Sequence, residues 1–218
     1  MAERAYTTLV TRLSPHLASC PHPIIVDQIR LSAIQACERT LIYRHVQTEF
    51  NLTPNQFTYT YTKPANTDVH AVFEAIMNDK PLERLTLEQA LERNPRWADV
   101  SQTDEASEPR IICGVTTESY NIFPMPDDSK TYKLRLVYAL KPTRASTGLE
   151  QWVFDELEDC IFHNALQELM LMPNQPWSNA DVAGYHAKQY VFKLSERRAR
   201  ANLGTVRGSM SVRMKPFA

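Results

Sequence analysis

Two kinds of apolar periodicity divide this chain, and their order constrains what it can fold into. Towards both ends, apolar residues recur every three or four positions, as they do on the buried face of a helix. In the middle they alternate with polar residues, as in a half-buried strand. This order of a helix, a sheet and further helices differs from the alternation of βαβ units, so we expect an α+β chain.

Two of the helices follow directly from apolar spacing. The first runs from Ile24 to about His45, and the second ends at Pro173. Residues four apart define the buried face of the first: Ile25, Ile29, Ala33, Cys37 and Leu41. The stripe of the second is longer: Val153, Leu157, Ile161, Ala165, Leu169 and Met172.

A last helix is predicted between a capping box and a glycine stop. Ser178 and Asp181 have the spacing of the box, and Gly204 ends the helix. It carries five apolar residues at seven-residue-type spacing: Val182, Tyr185, Phe192, Ala199 and Leu203. The connection that precedes it contains Pro173, Pro176, Trp177 and Ser178.

The middle of the chain predicts an antiparallel sheet. In "FTYTYT", Phe57, Tyr59 and Tyr61 alternate with threonines, which favours a sheet core over a base-stacking surface. Further strands are predicted at 110–115, 118–126 and 131–142. The segment 68–83 fits a helix or a strand, and the turn-like "NDKP" favours a strand. A short helix follows, with Thr86 and Gln89 in capping-box register.

Together these elements predict an α-helical bundle with an inserted antiparallel β-sheet lobe and an extended C-terminal arm. The expected divisions are N-terminal helices at 1–45, the lobe at 46–141, the C-terminal helical pair at 142–204, and the arm at 205–218.

Charge is segregated along the chain although the net charge is only −1. From Lys188 onward there are eight basic residues and one acid, which leaves 16 basic and 24 acidic residues before it. Such a polarity suits head-to-tail packing of copies, a polyanion or an acidic partner surface.

Motifs for catalysis are missing from the sequence. The five glycines form neither a dinucleotide-binding nor a P-loop motif, and no GxSxG or HExxH occurs. His16, Cys20 and His22 lie close in sequence but read as an ordinary proline-rich loop. We therefore expect no enzyme activity, no metal and no cofactor. No stretch is long enough for a membrane span, and the four scattered cysteines are expected to be reduced.

The basic end favours a docking arm over a solvated terminus. After Gly204, apolar residues alternate with arginines, a pattern that can order on a partner by adding a strand to its sheet edge. The residues expected to dock are Arg207, Met210, Val212, Arg213, Met214, Lys215 and Phe217.

The second half of the sequence resembles the head-to-tail adaptor (connector) proteins of tailed bacteriophages. The resemblance is strong from about Lys141 to Gly204. It rests on "LVYALKPTRASTGL", then "LMPNQPWSN", then "AGYHAKQYVFKLSERRARANLG". In the first half only the order of elements is similar, including "KPLERLTLEQALERNPRW".

The resemblance implies a virion structural protein at the head–tail interface, assembled in the host cytoplasm. Such adaptors form a ring, commonly of twelve copies, and extend the channel through which genomic DNA passes without sequence-specific binding. The implied partners are the portal protein, which takes the arm, and a tail or nozzle/tube protein, which the β lobe faces.

Two other functions stay open on the sequence. One is a nucleic-acid-binding protein that uses its basic end on phosphates, which would make binding strongly salt-dependent. The residues for this role are Arg197, Arg198, Arg200, Arg207, Arg213 and Lys215. The weaker one is a tail-completion or assembly factor that forms no ring.

Overall fold

A ten-residue strand, β9 (Lys133–Pro142), lies at the centre of the protein. The computed structural model describes residues 3–93 and 106–203. Along β9, Leu134, Leu136, Tyr138 and Leu140 are buried on one face, and Ala139 on the other face is buried as well. The predicted strand at 131–142 is thus confirmed.

The strands in the described residues form three small sheets. In chain order they are β1 (Glu3–Ala5), β2 (Arg44–Asn51), β3 (Thr58–Thr60), β4 (Thr67–Met77), β5 (Lys80–Pro81), β6 (Glu83–Leu85), β7 (Ile111–Gly114), β8 (Ser119–Phe123), β9 and β10 (Gly148–Glu150). The sheet orders are β1-β10, β2-β9-β4-β5 and β3-β8-β7-β6. All pairs are antiparallel except β6 with β7, which is parallel. In the ambiguous segment at 68–83, the residues before the "NDKP" turn form strand β4, as predicted, and β5 follows the turn.

Five α-helices accompany the sheets in the described residues. They are α1 (Thr7–Leu13), α2 (His22–Thr40), α3 (Leu87–Arg93), α4 (Gln151–Met170) and α5 (Ala180–Leu203), with a short 3-10 helix at Ser14–His16. Helix α2 ends earlier than the sequence predicts, because Leu41 adopts a left-handed conformation with φ of 54°. The capping box of α3 is confirmed: the Gln89 N–H donates to Thr86 Oγ1, and the Thr86 N–H donates to Gln89 Oε1.

The predicted helical bundle is wrong: the chain is a mixed α+β protein with one principal core that helices and strands share. Helix α2 packs on α4 and also on β9. Phe154 and Leu157 of α4 belong to the same buried cluster as Leu134 and Tyr138 of β9. Strand β1 ties the N-terminal segment to β10, immediately before α4. The helices therefore complete their burial against the sheet and not only against one another.

The tyrosine-rich strand belongs to the core, as predicted. Phe57, Tyr59 and Tyr61 are at most 7% exposed. The ring of Tyr61 lies 4.7 Å from that of Tyr120 and 5.2 Å from that of Tyr138, so aromatic contacts join the two larger sheets.

Candidate assembly surfaces

The predicted docking arm lies outside the described residues, but its point of departure is fixed. The Nη2 atom of Arg44 lies 3.5 Å from Asn202 Oδ1, at the last turn of α5. The last turn of α5 therefore lies beside the first residue of β2. Gly204, the predicted helix stop, and Trp97 also lie outside the described residues.

Ion pairs attach the C-terminal half of α5 to α4. Glu156 Oε2 is 2.8 Å from Arg197 Nη1 and 3.3 Å from Arg200 Nη1. The side chains of Arg197 and Glu156 are only 18% and 28% exposed, so solvent screens this pair incompletely. These contacts hold the helix from which the arm emerges.

The N-terminal segment binds the neighbouring acids of α4. Arg4 Nη1 lies 2.7 Å from Asp155 and 3.1 Å from Glu158, and its guanidinium lies over the ring of Phe154. Arg12 Nη1 is 3.0 Å from the other oxygen of Glu158. The acids of α4 thus bind cations from two other segments, the N-terminal segment and α5.

The connection between α4 and α5 is anchored by one aromatic residue. Trp177 is 8% exposed and belongs to the principal core, whereas Pro173 and Pro176 are exposed. Ser178 Oγ donates to the carbonyl oxygen of Met170 at 3.2 Å. The cap of α5 is Asn179, whose side chain accepts from the Val182 N–H at 3.2 Å. The predicted capping box of Ser178 with Asp181 is therefore wrong by one residue.

Helix α5 presents an apolar face that no other element within residues 3–93 and 106–203 covers. Its buried residues are Ala183, His186 and Tyr190. By contrast, Tyr185 is 56% exposed and Phe192 is 63% exposed. Val182 and Leu203, which share their spacing, are 37% and 72% exposed. The seven-residue stripe that the sequence reveals is consequently the outer face of α5.

A histidine cluster lies on the inner side of α5. His163 Nδ1 and His186 Nδ1 are 2.8 Å apart, and the ring of His16 lies 6.4 Å from that of His186. Burial lowers the pKa of both His163 and His186. The described residues contain no group of three or more His, Cys, Asp or Glu side chains arranged to hold a metal ion.

A groove of about 550 Å³ opens between β4 and the β6-β7 pair. The ionisable side chains that line it are Tyr61, His70 and Arg84. Arg84 donates to the carbonyl oxygens of Val72 and Phe73, where the pairing of β4 with β9 shifts register between Val72 and Glu74. The groove lining offers no carboxylate beside a base or nucleophile.

A family model described as "SU10 adaptor protein" matches residues 4–214 of this chain. The chain belongs to the SU10 adaptor protein family. The predicted resemblance to phage head-to-tail adaptors is thereby confirmed. A comparison with curated proteins gives no match.

Membership of the SU10 adaptor family gives the protein its general role. It is a phage adaptor, a virion component at the head–tail junction that interacts with other phage head and tail proteins. The family is structural and not normally enzymatic. Within the described residues, no helix combines the length and the apolar character that a membrane span requires.

Sequence reasoning missed two features of these surfaces. It identified the stripe on α5 but not its outward orientation, and it did not pair the acids of α4 with Arg4, Arg12 and Arg197. The distances along the chain explain the second omission, since Arg4 and Glu158 are 154 residues apart. The opposite charges of α4, which carries acids and no Lys or Arg, and of the mostly basic C-terminal half of α5 were the available signal for the closer pair, Glu156 with Arg197.

Proposed function

We propose that this SU10 adaptor assembles as a ring, commonly of twelve copies, between the capsid portal and the tail, where it extends the DNA channel. The observation that carries the proposal is the family match over residues 4–214, which spans both long helices and most of the basic arm. Genomic DNA would pass through the ring without sequence-specific contacts.

The arm at 205–218 is proposed to dock on the portal protein. Helix α5 has 24 residues and so is about 36 Å long. Its ion pairs with Glu156 fix the end from which the arm departs. A rigid base reduces the entropy lost when an extended segment binds. In a ring, each later arm would bind at a high effective concentration, which strengthens attachment without new contacts.

The segment 46–141 is proposed to face the tail or nozzle/tube protein. It holds most of β2, all of β3 to β8 and most of β9, whereas the arm follows α5 in the chain. We retain the proposed divisions at 1–45, 46–141, 142–204 and 205–218 for the design of truncations.

The proposal predicts the result of reconstitution with the portal. The full chain and a chain ending at Gly204 would each be mixed with the cognate portal ring, and the bound mass measured by sedimentation. We expect a stoichiometric ring with the full chain and no binding by the truncated chain. Equal binding by both chains would contradict the role of the arm, and binding by neither would contradict the adaptor ring on the portal.

The nucleic-acid-binding alternative finds less support. Two of its six proposed phosphate ligands, Arg197 and Arg200, share the carboxylate of Glu156. Arginines that are already paired with a carboxylate neutralise fewer phosphates and so release fewer counterions from DNA. The affinity for DNA and its dependence on salt are both weaker as a result. Steep, salt-dependent DNA binding by the full chain would favour this alternative.

A further inference from the structure

The outer face of α5 contains a short recognition pattern. Tyr185, Lys188 and Phe192 are spaced i, i+3 and i+7, and all three are exposed. Residues with this spacing share one face of a helix, and Tyr185 and Phe192 are about 10 Å apart along the axis. Lys188 forms no ion pair with any residue in 3–93 or 106–203.

Helix α2 carries the same spacing on its own outer face. Ile24 is 38% exposed and Leu31 is half-buried, at positions i and i+7. Between them, at i+3, stands Asp27, whose side chain is 61% exposed and whose Oδ1 lies 2.8 Å from Arg30 Nη1. The buried residues of α2, among them Ile29 and Ala33, lie on the opposite side of the helix.

We infer that the outer face of α5 in one copy packs against the outer face of α2 in the next copy. The two faces match in length, both place apolar residues seven positions apart, and the charge between those residues is negative on α2 and positive on α5. Apolar residues with a seven-residue repeat are the pattern with which helices pack side by side. Lys188 of one copy would share the carboxylate of Asp27 with Arg30 of the next copy, and this opposite charge favours the pairing.

This contact joins two unlike faces, and such contacts repeat from copy to copy until a ring closes. The inference therefore rests on the proposed ring and names the surfaces that build it. The aromatic residues of α5 would supply most of the affinity, because exposed tyrosine and phenylalanine bury large areas at small entropic cost.

Disulfide trapping tests this contact. Cys20 is the one cysteine of the four that is not buried, so the variants would be made in a Cys20→Ser chain. Phe192→Cys protein would be mixed with Ile24→Cys or with Leu31→Cys protein and oxidised. Val191→Cys serves as the matched control, because Val191 is 61% exposed but points about 100° away from Phe192 around α5.

The samples would be the free chain at high concentration and the chain bound to the portal ring. We expect a cross-link between Phe192→Cys and Ile24→Cys or Leu31→Cys, and little with Val191→Cys. We also expect Phe192→Ser to weaken self-association by about tenfold or more, as loss of a buried aromatic anchor does.

Two outcomes would overturn the inference. Cross-links only between two Phe192→Cys chains would mean that like faces meet, and no α2–α5 cross-link in either sample would mean that other surfaces build the assembly. A chain that binds the portal stoichiometrically without the cross-link would leave the proposed function intact. A cross-link without portal binding would support the contact and contradict the portal role.

Discussion

A Cβ atom on Gly148 would lie 2.5 Å from the carbonyl oxygen of Arg4, which is too close for any side chain. Gly148 begins β10, and Arg4 lies in β1, where it pairs with Leu149. A backbone carbonyl group in a paired strand cannot move aside as the end of a flexible side chain can. The attachment of the N-terminal segment to α4 therefore depends on this glycine.

We expect Gly148→Ala to separate β1 from β10 and to lower the free energy of unfolding by about 2 kcal/mol, as overpacking does. The matched control is Gly184→Ala, since a Cβ there meets no atom within 4 Å. In a helix this control should raise the free energy of unfolding by about 0.5–1 kcal/mol. Urea unfolding of both variants measures the difference, and equal effects would contradict the close approach.

Glu156→Gln should destabilise the protein more than the loss of an exposed carboxylate. It removes the acid that Arg197 and Arg200 share and leaves the poorly exposed Arg197 without its ionic partner. We expect a loss of about 1–2 kcal/mol in the free energy of unfolding, below the value for a fully buried pair. Glu196→Gln is the control, because its contact with Lys193 is 3.8 Å long and exposed. Indistinguishable unfolding curves would mean that the α4–α5 ion pairs do not stabilise the fold.

The sequence predicted the elements of this protein better than their packing. The stripe from Val153 to Leu169 was recognised because every member is apolar, and every member is buried. Strand β2 was missed because Gln47 is the only fully buried residue among its eight, so alternation is barely visible. Short strands such as β1 also leave too few residues for a period to show.

The wrong bundle has a related cause. Periodicity shows that one face of α2 is buried, but not that this face meets β9 as well as α4. On α5 the same limitation made the exposed face look buried. The regular stripe with Tyr185 and Phe192 is exposed, while the less regular set with His186 and Tyr190 is buried. An apolar stripe therefore predicts that a helix face is suited to burial. It does not show whether the same chain or a partner covers that face.

Three of the four thiols should resist modification in the folded protein. Cys37, Cys113 and Cys160 are buried, and burial raises the pKa of Cys160 to about 11. Since the thiolate is the reactive form, a disulfide reagent at pH 8 should label Cys20 quickly and the others only after unfolding. Cys20→Ser should remove the fast phase. Fast labelling of a second thiol in the native chain would contradict the packing of the element that carries it: α2 for Cys37, β7 for Cys113 or α4 for Cys160.

The histidine pair should make stability fall in mild acid. Because Nδ1 of His163 and Nδ1 of His186 share one hydrogen bond, one ring must accept and so must be neutral. Burial lowers the pKa of both, and Arg12 and Lys193 lower that of His163 further while Asp159 opposes them. His16 faces His186 from the 3-10 helix and also lowers its pKa.

In the unfolded chain these histidines take up protons near their ordinary pKa of about 6.5, whereas in the folded chain they do so only at lower pH. The unfolded state thus binds more protons below about pH 6.5, and the free energy of unfolding decreases as the pH falls. We expect the melting temperature to drop between pH 7.5 and 5.5. In the double variant that combines His163→Asn with His186→Asn, this drop should be smaller. The exposed His22→Gln should retain the parent's pH dependence. A double variant with an unchanged slope would show that groups elsewhere in the chain set the acid sensitivity.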